Sequence, residues 1–156
     1  MTFLNSKEMK AILRVTGCEL MHLRGENKLQ FQKKGNAFLY ALPNDISVLS
    51  HPMGHQLLHW HNGKHQSHIE NEPKTSESRQ ALEQLVIEIL LPIERKFRRP
   101  KITYGFTSPQ LKRYIAKHSP QGTAPELDQH ASYELNRKNN GICNRGGAAC
   151  DFIIDG

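Results

Sequence analysis

Apolar and polar residues recur with two different periods along this chain. A helical period over residues 6–15 predicts a first helix with Ser6 as its N-cap and Gly17 just beyond its end. Alternation with a period of two follows and predicts three strands, separated by turn-forming residues. These strands are Glu19–Leu23, Lys28–Lys33 and Ala37–Leu42, with Leu29 and Phe31 on one half-buried face. Residues 1–50 therefore read as a short helix and a small antiparallel β meander.

The longest helical pattern lies over residues 75–98. Thr75, Ser76 and Ser78 offer N-caps, and Pro100 ends the helix. Pro92 removes one main-chain hydrogen bond, so we expect a kink or a restart there. One face of this helix is apolar, at i, i+3 and i+4 spacing. Its members are Ala81, Leu82, Leu85, Val86, Ile89, Leu90, Ile93 and Phe97.

Shorter elements follow this helix. The pattern predicts a strand over Ile102–Tyr104, a helix capped by Ser108, a loop over Ser119–Pro125, a helix over His130–Arg137 and a strand from Phe152. Together these elements predict an α+β protein. A boundary near residue 70 gives a β-rich segment over 1–69 and a second domain over 70–156.

Composition narrows the class of protein. No apolar run among the 156 residues approaches the roughly 20 needed to cross a bilayer, and the first residues lack a signal-peptide pattern. We therefore expect a cytoplasmic protein. Three cysteines, an odd number, argue against a secreted disulfide framework.

The chain is basic, with a formal net charge of +6. This charge permits an anionic partner such as nucleic acid, a wall polymer or a membrane surface, and equally fits a solvated basic surface. The densest basic stretch, Arg95–Lys101, includes one aromatic residue, Phe97, which we expect to face the core. Charge complementarity at the end of a helix therefore explains this stretch better than phosphate binding does.

Six histidines crowd residues 51–68. Such tracts can bind metals, and His55 and His59 would share one face of a helix. Pro52, Gly54 and Gly63 argue against a long helix, however, and favour a polar surface loop. Both readings stay open, and the tract is the place where an additional metal ligand could most readily arise.

Three stretches of the second half of the sequence follow one another in an order that is typical of a known family. A helix containing Leu91-Pro-Ile-Glu-Arg leads into Ile102-Thr-Tyr-Gly-Phe-Thr-Ser-Pro-Gln-Leu111; Gln129-His130 follows, and then Gly147-Ala-Ala-Cys-Asp151-Phe. Over about 85 residues, this order resembles the zinc D-alanyl-D-alanine carboxypeptidase family, which includes phage endolysin-type peptidoglycan peptidases.

The resemblance implies that His130 and Asp151 bind zinc and that Ser108 and Gln129 contact substrate. It also implies a mixed sheet with packed helices and a peptide or peptidoglycan fragment as substrate. Imidazole and carboxylate are good zinc ligands, and the small Gly147 and Ala149 let the backbone approach its neighbours closely. In such sites a zinc-bound water attacks the peptide carbonyl and a glutamate is the general base; no residue here is assigned that role.

The chain also departs from the family pattern. Sixteen residues separate His130 from Gly147, where the family has two, and Thr107 replaces an arginine that would contact a substrate carboxylate. The family's second histidine and its glutamate follow the aspartate, and five residues follow Asp151 in this sequence.

Two hypotheses about function result. The first is a zinc-dependent peptidase acting on peptidoglycan-type peptides, which a phage would release through a separate pore. The alternative is a non-catalytic accessory or nucleic-acid-binding module that reuses the fold. Retention of His130 and Asp151 favours the first, whereas Thr107 and the insertion favour the second.

Overall fold

The computed structural model describes residues 1–118 and 127–156, so the loop predicted over Ser119–Pro125 lies outside the described residues. The chain divides into two compact units, Met1–Pro52 and Met53–Gly156. The assignment of separate roles to 1–69 and 70–156 stays a prediction. In the described part of the chain, no helix is both long enough and apolar enough to cross a membrane.

The first unit combines two helices with a three-stranded antiparallel sheet. Its elements are β1 (Phe3–Asn5), α1 (Ser6–Leu13), α2 (Gly17–Gly25), β2 (Phe31–Lys34), β3 (Ala37–Ala41) and a 3₁₀ turn, Val48–Ser50. The strand order is β1-β3-β2, so β1 completes the sheet in place of the predicted first strand of a meander. Helices and small antiparallel sheets together confirm the α+β class.

Reciprocal capping decides where both helices of this unit begin. The Asn5 side chain accepts from the Glu8 N–H at 2.9 Å, and the Glu8 carboxylate accepts from the Asn5 N–H at 3.0 Å. The cap of α1 is therefore Asn5, one residue before the predicted Ser6. Thr16 and Glu19 form the same box at the start of α2.

The strand predicted over Glu19–Leu23 is wrong, because this segment lies in α2. The Thr16–Glu19 box fixes the first turn of a helix. Leu20 is the only buried residue of this helix, so the alternating residues do not form one buried face of a sheet. Phe31, predicted to face inward beside Leu29, is 42% exposed.

The remaining elements are mostly helical. They are α3 (Pro52–His59), α4 (His61–His65), α5 (Ser76–Leu85), a π-helical turn (Val86–Leu90), α6 (Leu91–Lys96), β4 (Lys101–Tyr104), α7 (Pro109–His118), a 3₁₀ turn (Gln129–Ala131) and β5 (Asp151–Ile153). Strands β4 and β5 pair antiparallel. The resemblance implied a mixed sheet, but among the described residues of the second unit the sheet consists of this two-stranded antiparallel ribbon.

The predicted 75–98 helix is present, with a π-helical turn immediately before its proline. Pro92 has no N–H to bond the Glu88 carbonyl, and a wider turn relieves the clash between its ring and the preceding turn. The extra residue of a π turn rotates later side chains by roughly 100°. Ile89, predicted to face the core, lies within the π turn and is 46% exposed, whereas Leu91 after it is fully buried. Phe97, also predicted to face the core, is 59% exposed and lies just past α6, where the backbone is no longer helical.

The helix predicted over His130–Arg137 is wrong. A 3₁₀ turn ends at Ala131, and Ser132 adopts a positive φ of 53°. The Asn136 side chain then accepts from the N–H groups of Lys138 and Asn140, in competition with helical bonding.

The sequence favoured a polar surface loop for the histidine-rich segment, but the structure differs. The segment forms α3 and α4, and buries Met53, Leu57 and Leu58. Pro52 is the first residue of α3, where a missing N–H costs nothing. His51 and His61 are also buried, so this tract is part of the folded core.

Candidate metal site at His130 and Asp151

His130 is held in the second unit by hydrogen bonds to its backbone and to its ring. Its N–H donates to the Asp128 carboxylate at 2.9 Å, and its carbonyl accepts from the Thr107 N–H at 2.8 Å. The ring Nδ1 lies 3.0 Å from the Gly105 carbonyl oxygen, and the residue is 8% exposed. These contacts hold the imidazole in one orientation beside the end of β4.

The partner of Nδ1 also determines the tautomer of a neutral His130. A carbonyl oxygen only accepts hydrogen bonds, so Nδ1 carries the proton and donates to Gly105. The lone pair is then on Nε2. Metal-binding histidines are typically held in this way, with the second ring nitrogen donating to a carbonyl or carboxylate.

Asp151 begins β5 and lies opposite Tyr104 across the β4–β5 ladder. The register shifts between Ile102 and Tyr104, which is a bulge of the kind that re-aims side chains near functional sites. The Asp151 Oδ2 atom lies 4.0 Å from His130 Nε2. The structure thus brings together the two zinc ligands implied by the sequence, although 20 residues lie between them.

A further hydrogen bond joins the chain segments that contain His130 and Asp151. The Ser132 hydroxyl donates to the Gly147 carbonyl at 2.6 Å. Gly147 adopts φ +85°, and a Cβ at Gly146 would lie 2.6 Å from the Tyr133 ring. The close approach predicted at Gly147 is therefore made by Gly146, while Gly147 provides the backbone turn.

The donor chemistry fits zinc at two positions. A tetrahedral ion holds nitrogen and oxygen ligands roughly 3.4 Å apart, slightly closer than the 4.0 Å between His130 and Asp151. The Asp151 side chain is 63% exposed, so it has room to move closer. No group of three histidine, cysteine, aspartate or glutamate side chains suited to a metal occurs in residues 1–118 and 127–156.

Cys150 precedes Asp151, but it does not form a group of three metal-suited side chains with His130 and Asp151. Burial, with a smaller contribution from the Asp151 charge, raises the pKa of the Cys150 thiol to about 11. In the metal-free protein the thiol is therefore protonated at neutral pH, and a metal would have to displace that proton to bind there.

Of the two predicted substrate contacts, Gln129 immediately precedes His130 in the sequence, and Ser108 begins α7. Ser108 is 4% exposed, and its hydroxyl accepts from the Leu111 N–H at 3.1 Å, which confirms it as the N-cap of α7. Gln129 opens the 3₁₀ turn before His130 and is partly exposed. Thr107 is fully buried and donates to the Gly105 carbonyl at 3.2 Å, so it faces inward.

Two residues that position the site were missed from the sequence. The sequence pattern assigns no role to Gly105, yet its carbonyl orients His130. The Asn71 amide donates to the carbonyls of Leu58 and Phe106 and accepts from the Ser108 N–H, at 2.7–2.9 Å. A polar residue in a connection gives no periodic signal, so only the fold identifies this role.

Comparisons with known proteins leave the site to be interpreted from its own chemistry. None of the family models, curated proteins or solved structures compared with this chain matches it.

Proposed function

We propose that this chain carries part of a zinc centre of the peptidase type, with His130 Nε2 and Asp151 Oδ2 as two of the ligands. The observation that carries the proposal is the Nδ1–Gly105 hydrogen bond, because it leaves Nε2 free of its proton and directed toward the carboxylate. The proposed substrate class, from the sequence resemblance, is a peptidoglycan-type peptide.

Zinc bound there would polarise a peptide carbonyl and lower the pKa of a bound water. The chain's own residues contribute positioning. Gly105 and Thr107 hold the His130 segment against the end of β4, and the β4–β5 ladder places Asp151 beside it. A catalytic zinc needs three protein ligands, so the remaining ligand has to come from outside the pair.

Zinc content tests this proposal directly. Dialysed protein is expected to retain about one zinc per chain by elemental mass spectrometry, and His130→Ala is expected to abolish retention. Asp151→Asn should weaken zinc affinity at least tenfold, because the neutral amide lacks the negative charge with which the carboxylate attracts the metal ion.

The control addresses the other histidines. Rings of His55 and His59 lie 4.2 Å apart on α3 and could hold metal weakly. His55→Gln/His59→Gln should keep the bound zinc. If this double variant loses the metal while His130→Ala keeps it, the His130–Asp151 centre is refuted.

One observation favours the alternative of nucleic-acid binding. Phe97 is 59% exposed instead of facing the core, and it lies between the exposed cations Lys96 and Arg98. Arg99 is paired with Glu94 at 2.7 Å and contributes less free charge. An exposed ring between cations can stack on a base while the cations contact phosphates.

Under this alternative, Phe97→Ala should weaken binding to single-stranded DNA about tenfold. Retention on heparin should not change, because heparin has no bases to stack. Arg98→Gln should lower the salt dependence on both polymers. Phe31→Ala, which removes an exposed ring from the first unit, is the matched control. Equal DNA affinity of wild type and Phe97→Ala would exclude stacking by this ring.

A further inference from the structure

A small cleft of about 200 Å³ in the second unit gathers positive charge. Lys74, Arg113 and Arg137 line it from three separate segments: the residues just before α5, the middle of α7 and the turn after Leu135. All three residues are exposed. Chain segments distant in sequence thus contribute three cationic residues to one concave site.

Glu134 is the only carboxylate among the described residues that line the cleft, and it is already hydrogen-bonded. Glu134 is 3% exposed, and its Oε1 accepts from the main-chain N–H groups of Lys74 and Thr75 at 2.9 and 3.2 Å. The described part of the lining therefore contains one acidic residue and three basic ones. Among the described residues, neither Arg113 nor Arg137 makes an ion pair. Like charges around one cleft repel each other, and a bound anion would remove that cost.

We propose that this cleft binds the oxyanion group, carboxylate or phosphate, of a small molecule. Two guanidinium groups provide planar pairs of donors that match both oxyanions, and a lysine adds a point charge. Both arginines also border an adjoining cleft of about 580 Å³, which Leu127 and Ile142 help to line. That space suits the less polar remainder of such a ligand.

The cleft is built from the segments that hold His130, but its function does not require zinc. Ser108 lines it and follows Thr107, whose N–H donates to the His130 carbonyl. Glu134 lies four residues after His130. Binding of an anion here can therefore be measured on the metal-free protein.

The test uses three probes in calorimetry or NMR titration at low salt: N-acetyl-alanyl-alanine, its C-terminal amide, and inorganic phosphate. Binding of the acid but not the amide supports a carboxylate ligand. Tighter binding of phosphate supports a phosphate ligand. In either case Arg113→Gln and Arg137→Gln should each weaken binding about tenfold, while Arg113→Lys should retain part of it.

Lys117→Gln is the matched control, because it removes one charge from the same helix outside the cleft lining. Circular dichroism melts check that each variant is folded. The proposal is overturned if none of the probes binds at millimolar concentration. It is also overturned if Lys117→Gln weakens binding as much as Arg113→Gln, since the effect would then come from overall charge.

Discussion

Gly105→Ala is expected to destabilise the second unit by about 3 kcal/mol or more. A Cβ at this position would lie inside van der Waals contact with the Leu57 carbonyl oxygen and 2.8 Å from Trp60 Cδ1. The first neighbour is main chain and cannot move aside by itself. The Leu57 carbonyl also accepts from the Phe106 N–H at 2.9 Å, so relief of the clash strains a buried hydrogen bond.

The chain's single tryptophan reports on this region. The Trp60 indole donates to the Phe106 carbonyl at 2.7 Å, so its fluorescence follows unfolding around Gly105. For a unit of this size, the expected loss lowers the melting temperature by roughly 10 °C or more. Gly63→Ala is the matched control: a Cβ in α4 meets nothing within 4 Å and should stabilise slightly.

This prediction also bears on the candidate site. The Gly105 carbonyl holds the His130 ring, so a shift of this backbone should reduce zinc retention together with stability. Melting of Gly105→Ala within about 1 °C of wild type would mean that β4 and α3 separate easily, and that the orientation of His130 is not fixed as described.

Local rules of sequence explain the correct part of the fold. The helix over residues 75–98 and the strand at Ile102–Tyr104 were found because each follows a strong period or stands next to turn residues. The Ser108 cap and the change in the helix at Pro92 follow from side-chain and ring chemistry alone. Where a local rule was overlooked, as with the Thr16–Glu19 capping box, the prediction failed.

The rest depends on contacts between distant residues. Phe97 is exposed where the backbone leaves α6 and is no longer helical, an early helix end that the periodic pattern of the sequence does not contain. The pairing of His130 with Asp151 came from a resemblance, but the atoms that orient them, the Gly105 carbonyl and the Ser132–Gly147 bond, come from the tertiary fold. The cationic cleft likewise joins residues 74, 113 and 137, which no motif connects.

His61 creates the other large expected effect, a loss of stability in acid. Its ring is fully buried against Trp60, and neither ring nitrogen has a hydrogen-bond partner among the described residues. Burial, and then the neighbouring His59, His65 and His68, lower the pKa of His61 to about 4. The imidazole is therefore neutral in the folded protein at pH 7.

The sign of the effect follows from the two pKa values. An unfolded histidine titrates near 6.5, so between pH 6.5 and 4 the unfolded chain binds more protons than the folded one. The contribution of His61 is fully present above pH 6.5, falls as the pH drops toward 4, and is then lost. The total loss is up to about 3 kcal/mol. The pKa of His59 is also lowered, mainly by burial, and adds in the same direction.

The measurement is urea unfolding of wild type and His61→Leu from pH 7 to pH 4, followed by circular dichroism. Leucine has no proton to gain, so the variant should be at least as stable at pH 7 and should lose much less stability in acid. His118→Gln, an exposed histidine of the same unit, should keep the wild-type slope. If wild type and His61→Leu lose stability in parallel, acid must act through other groups. Leu57 in α3 and Trp60, which lies between α3 and α4, pack around Gly105. A His61 effect would therefore mean that acid loosens the same contacts that hold His130 in place.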